Sequence, residues 1–286
     1  MKKTARLREL IARPEILMAP GAYDAFSAKI VEGAGFQAVY MSGFATAASV
    51  LGLPDIGLLT MTEMVDNARR MADAVKIPLI ADADTGYGNH LNVMRTIEEY
   101  EKAGVAAVQI EDQVSPKRCG HMEGHRLIPV EEMEAKIRAA VRARKDPDFI
   151  LIARTDAISA EGFDEAISRG NRYRKAGADL LFIEAPTALE QLARIPKLVD
   201  GPTLVNLAPK TPYLHVSEYE KMGYALAIYP PVSITVAYAA LKEKLTELQH
   251  DGMNKDGCHG GVPFDELVSF LGLAEYRRTE EEVLKG

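Results

Sequence analysis

The sequence predicts an α/β protein folded as a (β/α)8 barrel of the TIM type. Eight short runs of apolar and β-branched residues alternate with longer segments of helical period, and eight strands are what a closed parallel barrel requires. Glycines end several helical segments directly before the next strand. Polar side chains also collect where the strands end, which is the edge that carries the active site in such barrels.

The predicted strands recur at regular intervals. They span residues 16–19, 38–41, 78–83, 106–111, 149–155, 180–184, 203–207 and 225–229. Residues 92–103 are typical of the intervening amphipathic helices, because apolar side chains recur there at steps of three and four. Gly35, Gly104, Gly177 and Gly223 each precede a strand, so we expect them in the left-handed conformation of a helix C-terminus.

The domain organisation is expected to be simple, because no linker or low-complexity tract divides the chain. Residues 1–286 are predicted to form one barrel domain. Residues 236–286 are predicted to be its C-terminal helical extension, with helices over 236–248 and from 263 onward.

Composition limits the classes of function. Of the 286 residues 47% are hydrophobic, which suffices for a large core. The 34 Lys and Arg against 41 Asp and Glu give a formal charge of -7 without a cationic run, which disfavours nucleic-acid binding. No apolar run is typical of a signal peptide or a membrane span, and two distant cysteines form no disulfide framework. We therefore expect a cytoplasmic protein without a nucleic-acid or membrane partner.

Residues 115–121 place one of the two cysteines among cationic side chains. Lys117 and Arg118 precede Cys119, and His121 follows it. Cationic neighbours lower the pKa of a thiol, so that it gives or takes a proton near neutral pH. Cys119 is therefore predicted to be a catalytic residue.

Polar residues end six successive predicted strands. They are Tyr40 and Ser42, Asp82 and Asp84, Glu111 and Asp112, Arg154 and Asp156, Glu184, and Asn206. Any one of them could be a hydrogen-bonded polar group of the core, but six strand ends in succession indicate an active site.

Three of these acids suggest a metal site. Asp82 and Asp84 share one face of a strand end, because alternate residues point the same way, and Glu111 ends the next strand. An all-oxygen set suits a hard divalent cation, so Mg²⁺ is the expected cofactor, with Mn²⁺ as the alternative. Mg²⁺ takes only one or two carboxylates directly, so some of these acids are expected to act through water. The other interpretation is that the carboxylates cap the following turn or helix.

Taken together, these segments resemble the isocitrate lyase and phosphoenolpyruvate mutase superfamily, and within it the short lyases such as methylisocitrate lyase and 2,3-dimethylmalate lyase. The matching segments are Pro20-Gly21-Ala22-Tyr23-Asp24, Tyr40-Met41-Ser42-Gly43, Gly52-Leu53-Pro54-Asp55, Asp82-Ala83-Asp84-Thr85-Gly86-Tyr87-Gly88, Ile110-Glu111-Asp112-Gln113, Lys117-Arg118-Cys119-Gly120-His121, Ala153-Arg154-Thr155-Asp156 and Tyr229-Pro230. The resemblance covers nearly the whole chain.

The resemblance implies an Mg²⁺-dependent lyase that cleaves a carbon–carbon bond in a 2-hydroxy dicarboxylate, releasing an α-keto acid such as pyruvate and a carboxylic acid. Its catalytic residues would be Cys119 as proton donor on a mobile loop, together with Tyr40, Arg154 and His121. Substrate contacts would come from Ser42, Gly43, Lys117, Gly120, Glu184 and Asn206. The metal group would comprise Asp82, Asp84, Glu111 and Asp55. Relatives exchange a C-terminal helix between subunits, which implies a homotetramer.

One departure bears on the substrate. Methylisocitrate lyases hold a third carboxylate with an arginine shortly after the last strand, whereas residues 229–235 of this chain contain none. A buried carboxylate without a partner is unfavourable, so an alkylated malate such as 2,3-dimethylmalate is preferred to 2-methylisocitrate. Open alternatives are a carboxyphosphonoenolpyruvate phosphonomutase, an oxaloacetate-type carbon–carbon hydrolase, and a scaffold that kept the barrel without catalysis.

Overall fold

The computed structural model describes residues 1–120, 124–257 and 261–285, so the predicted catalytic residue His121 lies outside the described residues. Eight parallel strands close into a barrel in chain order, with the last strand paired to the first. The strands are β1 (Leu17–Ala22), β2 (Val39–Met41), β3 (Leu79–Asp82), β4 (Ala107–Glu111), β5 (Ile150–Thr155), β6 (Leu180–Ile183), β7 (Thr203–Asn206) and β8 (Leu226–Tyr229). The predicted fold class is confirmed.

Helices connect successive strands and extend the chain beyond β8. They are α1 (Lys3–Ile11), α2 (Ala25–Gly33), α3 (Gly43–Leu51), α4 (Met61–Ala74), α5 (His90–Lys102), α6 (Val130–Ala143), α7 (Ala157–Ala160), α8 (Phe163–Ala176), α9 (Leu189–Leu198), α10 (Val216–Met222), α11 (Val232–Asp251), α12 (Phe264–Phe270) and α13 (Leu273–Lys285).

Local sequence explains several helix boundaries. Helix α5 begins earlier than its apolar pattern predicts, because the Asn89 side chain accepts hydrogen bonds from the backbone N–H groups of Leu91 and Asn92. The four glycines predicted to end helices have φ angles between +80° and +114°, so the expected left-handed turns are present. Each of these turns directs the chain back toward the barrel wall.

The core has two layers separated by the barrel wall. Inward-facing strand residues such as Ile80, Ile152 and Phe182 fill the barrel, and α1 contributes Leu7 and Leu10 to the same cluster. Outward-facing strand residues pack under the surrounding helices in a second, larger cluster. Because side chains alternate between the two layers, a strand end has one position that faces into the barrel mouth and one that faces the helices.

The chain divides into two compact units, Met1–Ile234 with the barrel and Thr235–Gly286 with the C-terminal helices. Among the residues that the structure describes, none of the helices combines the length and the apolar character needed to cross a bilayer.

Candidate active site

The carboxyl ends of the strands carry a ring of polar side chains above the apolar filling of the barrel. Two residues beyond the buried Ile80, Ile152 and Phe182, the same strand face carries a charged group in each case. Because side chains keep alternating between the two faces up to the strand end, these groups project into the mouth of the barrel. They are Asp82, Arg154 and Glu184.

Helix α3 begins at this mouth. The Ser42 side chain caps the helix by accepting a hydrogen bond from the backbone N–H of Ala45 at 3.2 Å. Gly43 lies against the acids, since a Cβ added there would be 2.6 Å from Oδ2 of Asp82 and 3.6 Å from Oδ1 of Asp84. The first turn of α3 therefore faces both carboxylates, and glycine is the residue that leaves space between them.

The turn after β3 is held in an unusual conformation. Asp84 and Tyr87 have φ angles of 48° and 58°, which non-glycine residues rarely adopt. The turn is braced from outside the barrel, where Tyr100 donates to the carbonyl of Asp82 at 2.9 Å and the buried Lys136 donates to the carbonyl of Thr85 at 3.0 Å. Strain of this kind persists only where the surroundings impose it, and in this turn the backbone N–H of Asp84 donates to Oδ1 of Asp82 at 3.0 Å.

Burial makes Asp82 and Glu111 reluctant to ionise. Desolvation, followed by the nearby Asp84 carboxylate, raises the pKa of Asp82 to about 6. Desolvation also raises the pKa of Glu111 well above its usual value, although Arg154 opposes this. Both carboxylate oxygens of Glu111 are buried and lack a hydrogen-bond partner among the described residues, although Oε2 forms an ion pair with Nε of Arg154 at 3.3 Å. Buried acceptors in this state are rare, and a bound cation would satisfy them.

The same acids suit a divalent cation because their donor atoms are carboxylate oxygens. They do not form a complete coordination shell. No group of three or more acidic, histidine or cysteine side chains within residues 1–120, 124–257 and 261–285 has the geometry to hold a metal. Mg²⁺ usually takes one or two carboxylates directly and completes its shell with water and substrate. Asp82, Asp84 and Glu111 are therefore a suitable donor set for this ion.

Asp55 and Lys117 form a buried ion pair beside these acids. Nζ of Lys117 lies 2.6 Å from Oδ1 of Asp55 and 2.9 Å from Oδ1 of Asp84. Burial alone would lower the pKa of Lys117, but Asp84, Asp55 and the other nearby acids together raise it well above its usual value. The family motif places Asp55 in the metal group. In the structure the Asp55 carboxylate is connected to Asp84 through the ammonium of Lys117, which lies between them.

Arg154 occupies the opposite side of the mouth. Its Nε and Nη2 donate to the two carboxylate oxygens of Asp156 at 3.0 and 2.7 Å, and Nε lies 3.3 Å from Oε2 of Glu111. Its Nη1 lies 3.6 Å from Oε2 of Glu184, which accepts a hydrogen bond from Nδ2 of Asn206 at 3.0 Å. Of the five guanidinium N–H donors, Asp156 therefore takes two from one edge.

The segment that carries Cys119 lies over this site. Gly120 is in contact with it, because a Cβ added there would collide with Nη2 of Arg154 and come within 2.8 Å of Oδ1 of Asp156. Cys119 is half-buried, and its backbone N–H donates to the carbonyl of Asp55 at 3.1 Å. Its own carbonyl lies 3.0 Å from Nε2 of His125. These contacts connect the cysteine segment to both sides of the mouth.

Tyr40 points into the barrel beneath the acids. Its hydroxyl donates to Oε1 of Gln109 at 3.0 Å, and Nε2 of Gln109 lies 3.5 Å from Oδ1 of Asp82. Desolvation and then the Asp82 carboxylate raise the pKa of Tyr40 well above its usual value. The hydroxyl is therefore a proton-bearing hydrogen-bond donor in this environment.

The structure brings the proposed site residues, apart from His121, into one connected cluster. It adds Gln109, which the motifs did not single out, and it gives the strand-end residue Asp156 a specific role. Gln109 links Tyr40 to Asp82, and Asp156 orients Arg154. Alternation along β4 places Gln109 two residues before Glu111 on the inward face, which is a signal that sequence analysis could have used. The same two-residue spacing relates Arg154 to Asp156, but only the structure shows that Asp156 accepts both hydrogen bonds from one edge of the Arg154 guanidinium.

A closed parallel barrel with this charged mouth defines a TIM-barrel protein with its candidate active site at the carboxyl-terminal edge of the strands. A family model described as phosphoenolpyruvate phosphomutase matches residues 7–249. The chain therefore belongs to the phosphoenolpyruvate mutase family, within the isocitrate lyase and phosphoenolpyruvate mutase superfamily, as its motifs predicted.

Similar proteins are known within this family. The chain is 48% identical over 288 residues to a 2,3-dimethylmalate lyase of Eubacterium barkeri, covering 100% of both chains. It is 41% identical over 279 residues to a 2-methylisocitrate lyase of Aeropyrum pernix, covering 97% of this chain and 90% of that protein. The crystal structure of an oxaloacetate acetylhydrolase in complex with 3,3-difluorooxalacetate matches with a TM-score of 0.93 and 36% identity, covering 99% of this chain and 97% of the other.

Proposed function

We propose that this protein is a divalent-metal-dependent lyase that cleaves a carbon–carbon bond of an alkylated malate, with 2,3-dimethylmalate as the favoured substrate. The products would be an α-keto acid, pyruvate for this substrate, and a carboxylic acid. The observation that carries the proposal is full-length identity of 48% to a 2,3-dimethylmalate lyase. The connected polar cluster at the barrel mouth supports it, because it offers separate sites for two negatively charged ends.

The metal would be held by Asp82, Asp84 and Glu111, as Mg²⁺ or alternatively Mn²⁺. Bound there, the ion would act as a Lewis acid that lowers the pKa of a substrate hydroxyl. Asp55 would support the group indirectly, because it balances the charge of Lys117 beside Asp84.

The α-keto acid end of the substrate would bind at the start of α3. Ser42 and Gly43 lie beside Asp82 there, and the backbone N–H groups of a helix N-terminus favour a carboxylate. Tyr40 would lie near the substrate hydroxyl, but its raised pKa makes it a poor base, so the hydroxyl proton would pass to water as the carbon–carbon bond breaks and the hydroxyl oxygen becomes the keto oxygen.

The second carboxylate would bind near Arg154, Glu184 and Asn206. Asp156 leaves guanidinium donors of Arg154 available on the side of Glu184, and the donor Nδ2 of Asn206 lies at the same place, 3.0 Å from Oε2 of Glu184. Cleavage leaves the bonding electron pair on the carbon next to this carboxylate. A guanidinium stabilises the negative charge that develops at this end.

Cys119 would supply the proton that completes the reaction. The thiol would transfer its proton to the carbanion, which becomes the carboxylic acid product, and the thiolate would regain a proton from solvent after product release. Gly120 in contact with Arg154 supports this assignment, because it brings the cysteine segment to the end where the carbanion forms. Lys117 and Gly120 would close the site over the substrate.

A tricarboxylate is disfavoured as substrate. The seven residues 229–235 at the end of β8 and the start of α11 include no arginine. A third carboxylate would therefore lose water without gaining a cationic partner from this segment. This supports ranking 2,3-dimethylmalate above 2-methylisocitrate.

Hydrolysis of oxaloacetate is the second candidate function. The similarity to an oxaloacetate acetylhydrolase supports it, with a TM-score of 0.93. Its substrate is also a small diacid, so the same two anion-binding ends would be used. The products distinguish the two reactions, because hydrolysis of oxaloacetate releases oxalate and acetate instead of pyruvate.

The deciding experiment is a substrate panel assayed with the purified protein and Mg²⁺. The panel contains 2,3-dimethylmalate, other alkylated malates, 2-methylisocitrate and oxaloacetate, and lactate dehydrogenase reports release of pyruvate and similar keto acids while acetate is assayed separately. We expect kcat/KM to be highest for 2,3-dimethylmalate. A higher value for 2-methylisocitrate would overturn the substrate ranking, and turnover of oxaloacetate alone would replace the lyase by the hydrolase.

We also propose that the protein is a homo-oligomer, with a tetramer as the expected form and the C-terminal helices exchanged between subunits. Helix α11 contains no buried residue, and α12 and α13 likewise contain none among their described residues. Leu241 and Leu245 of α11 are 60% and 59% exposed. Contiguous apolar exposure on this scale is typical of an interface.

A further inference from the structure

A second polar cluster lies behind the barrel wall, on the side that faces α8. Its centre is Asp112, which follows Glu111 and therefore points away from the barrel mouth. Asp112 is fully buried, and its carboxylate accepts hydrogen bonds from the hydroxyls of Thr155 and Tyr173, each at 2.7 Å. It also accepts from the backbone N–H of Asp156 at 3.0 Å and lies 3.4 Å from Nη1 of Arg169.

The cluster is more elaborate than the packing of α8 requires. An apolar residue in place of Asp112 would avoid the desolvation of a charge, and burial does raise the pKa of this carboxyl. The backbone of Asp112 is also engaged, because its carbonyl accepts from the N–H of Ile128 at 2.9 Å. Arg169 donates to the carbonyl of the same Ile128 at 3.1 Å. The cluster therefore joins β4, β5 and α8 at one point.

One connection leads from this cluster to the site. The backbone N–H that donates to the Asp112 carboxylate belongs to Asp156. The carboxylate of Asp156 in turn accepts two hydrogen bonds from one edge of the Arg154 guanidinium. Thr155, whose hydroxyl also donates to Asp112, lies between Arg154 and Asp156 in the chain. Movement of Asp112 would therefore shift the turn that orients Arg154, although Asp112 itself faces the helices.

We propose that Asp112 is a positioning residue, which holds Arg154 in its binding orientation through Asp156 without contacting the substrate. Tyr173 and Arg169 on α8 keep the Asp112 carboxylate in place and balance its charge. The inference rests on the proposed function for the role of Arg154, and it extends the site through the barrel wall to α8.

A pair of Tyr→Phe variants separates positioning from packing. Tyr173→Phe removes a donor to Asp112, whereas Tyr224→Phe removes a buried hydroxyl that donates to the carbonyl of Leu192 at 3.1 Å, outside the cluster. Tyr173→Phe also loses the hydrogen bond that its hydroxyl accepts from Nη1 of Arg169 at 3.3 Å, so both variants should lower the thermal midpoint, Tyr173→Phe by more. Only Tyr173→Phe should lower kcat/KM, by roughly tenfold, which is the scale of a lost hydrogen bond to a charged group.

Asp112→Asn is the stronger perturbation, because an amide cannot accept from all of these donors. We expect kcat/KM for 2,3-dimethylmalate to fall roughly a hundredfold, the loss typical of a catalytic group misplaced by about 1 Å. Titration calorimetry separates the two ends of the site. Binding of succinate, which needs Arg154, should weaken, while binding of oxalate with Mg²⁺ at the keto-acid end should stay as in the wild type.

The outcomes decide the inference independently of the proposed reaction. If the wild type cleaves no malate, the proposed function fails, and succinate binding and the crystal structure of Asp112→Asn still report whether Arg154 has left Asp156. The positioning role is refuted if Asp112→Asn binds succinate as the wild type does and keeps the Arg154 contacts to Asp156. It is also refuted if Tyr224→Phe loses as much kcat/KM as Tyr173→Phe.

Discussion

Replacing Asp82 by asparagine should stabilise the metal-free protein above pH 6, although it removes a proposed metal ligand. The reason is that the folded protein holds an ionised carboxylate at a buried position next to Asp84. The amide has a similar shape, and its oxygen can still accept the hydrogen bond that Asp82 receives from the backbone N–H of Asp84 at 3.0 Å. The variant therefore removes the buried charge with little change in packing.

The magnitude follows from the pKa of Asp82, which burial raises from 3.8 to about 6. One pKa unit corresponds to about 1.4 kcal/mol, so ionising Asp82 lowers the free energy of unfolding by about 3 kcal/mol. Because the folded-state pKa is the higher one, the protonated carboxyl contributes its full stability below about pH 4, and this contribution is lost as the pH rises through 6. For a protein of this size the difference corresponds to roughly 6–12 °C in the thermal midpoint.

Thermal unfolding followed by circular dichroism, at fixed protein concentration in EDTA, measures this effect. Asp82→Asn should exceed the wild type at pH 8 and approach it near pH 4. Asp66→Asn is the control, because Asp66 is 48% exposed in a surface ion pair and its replacement should change little. Added Mg²⁺ should raise the midpoint of the wild type more than that of Asp82→Asn. A midpoint for Asp82→Asn at pH 8 that equals or falls below the wild type would refute the reasoning.

Three further predictions concern the cysteine segment and the C-terminal helices. Cys119→Ser should lower turnover of 2,3-dimethylmalate by roughly 10²–10⁴ while calorimetric binding of oxalate with Mg²⁺ persists, and near-normal turnover would remove Cys119 from the mechanism. Gly120→Ala should lower kcat/KM roughly a hundredfold, because the added methyl collides with Arg154 and lies 2.9 Å from Cγ of Glu184; unchanged kinetics would show that the segment does not need this contact. Leu241→Glu with Leu245→Glu should shift sedimentation toward smaller species, with the exposed Glu243→Gln as control, and an unchanged sedimentation profile would place the interface elsewhere.

The positions of the strands and turns could be predicted because they depend on local chemistry. The run at residues 150–153 of β5 is apolar throughout, as expected for a strand buried on both faces, and polar residues follow only at the strand end. Gly177 and Gly223 end α8 and α10 with φ angles that other residues rarely adopt. The edge that carries the site follows from the same pattern, since parallel strands end together and their last residues are polar here.

The partners of the charged residues could not be predicted in this way. Asp55 and Lys117 are 62 residues apart in sequence and form a buried ion pair, and Asp112 meets Tyr173 across 61 residues. Alternation tells which face of a strand a residue occupies, but contact between strands also depends on their stagger around the closed barrel. Lys117 illustrates the difference, because its motif implied substrate binding and the structure places its ammonium between two acids.

The sequence by itself determined the barrel, the edge on which its polar residues gather, and the family to which the chain belongs. All three depend on repeating local patterns and on motifs that can be seen without coordinates. Only the tertiary structure decided that Asp156 orients Arg154, that Gln109 joins Tyr40 to Asp82, and that Asp112 supports the site from behind the wall. The contacts of Gln109 and Asp112 join residues far apart in the chain, and closure of the barrel sets those distances. The contact of Asp156 with Arg154 is local in sequence, but it depends on the turn after β5, whose backbone N–H is held by Asp112.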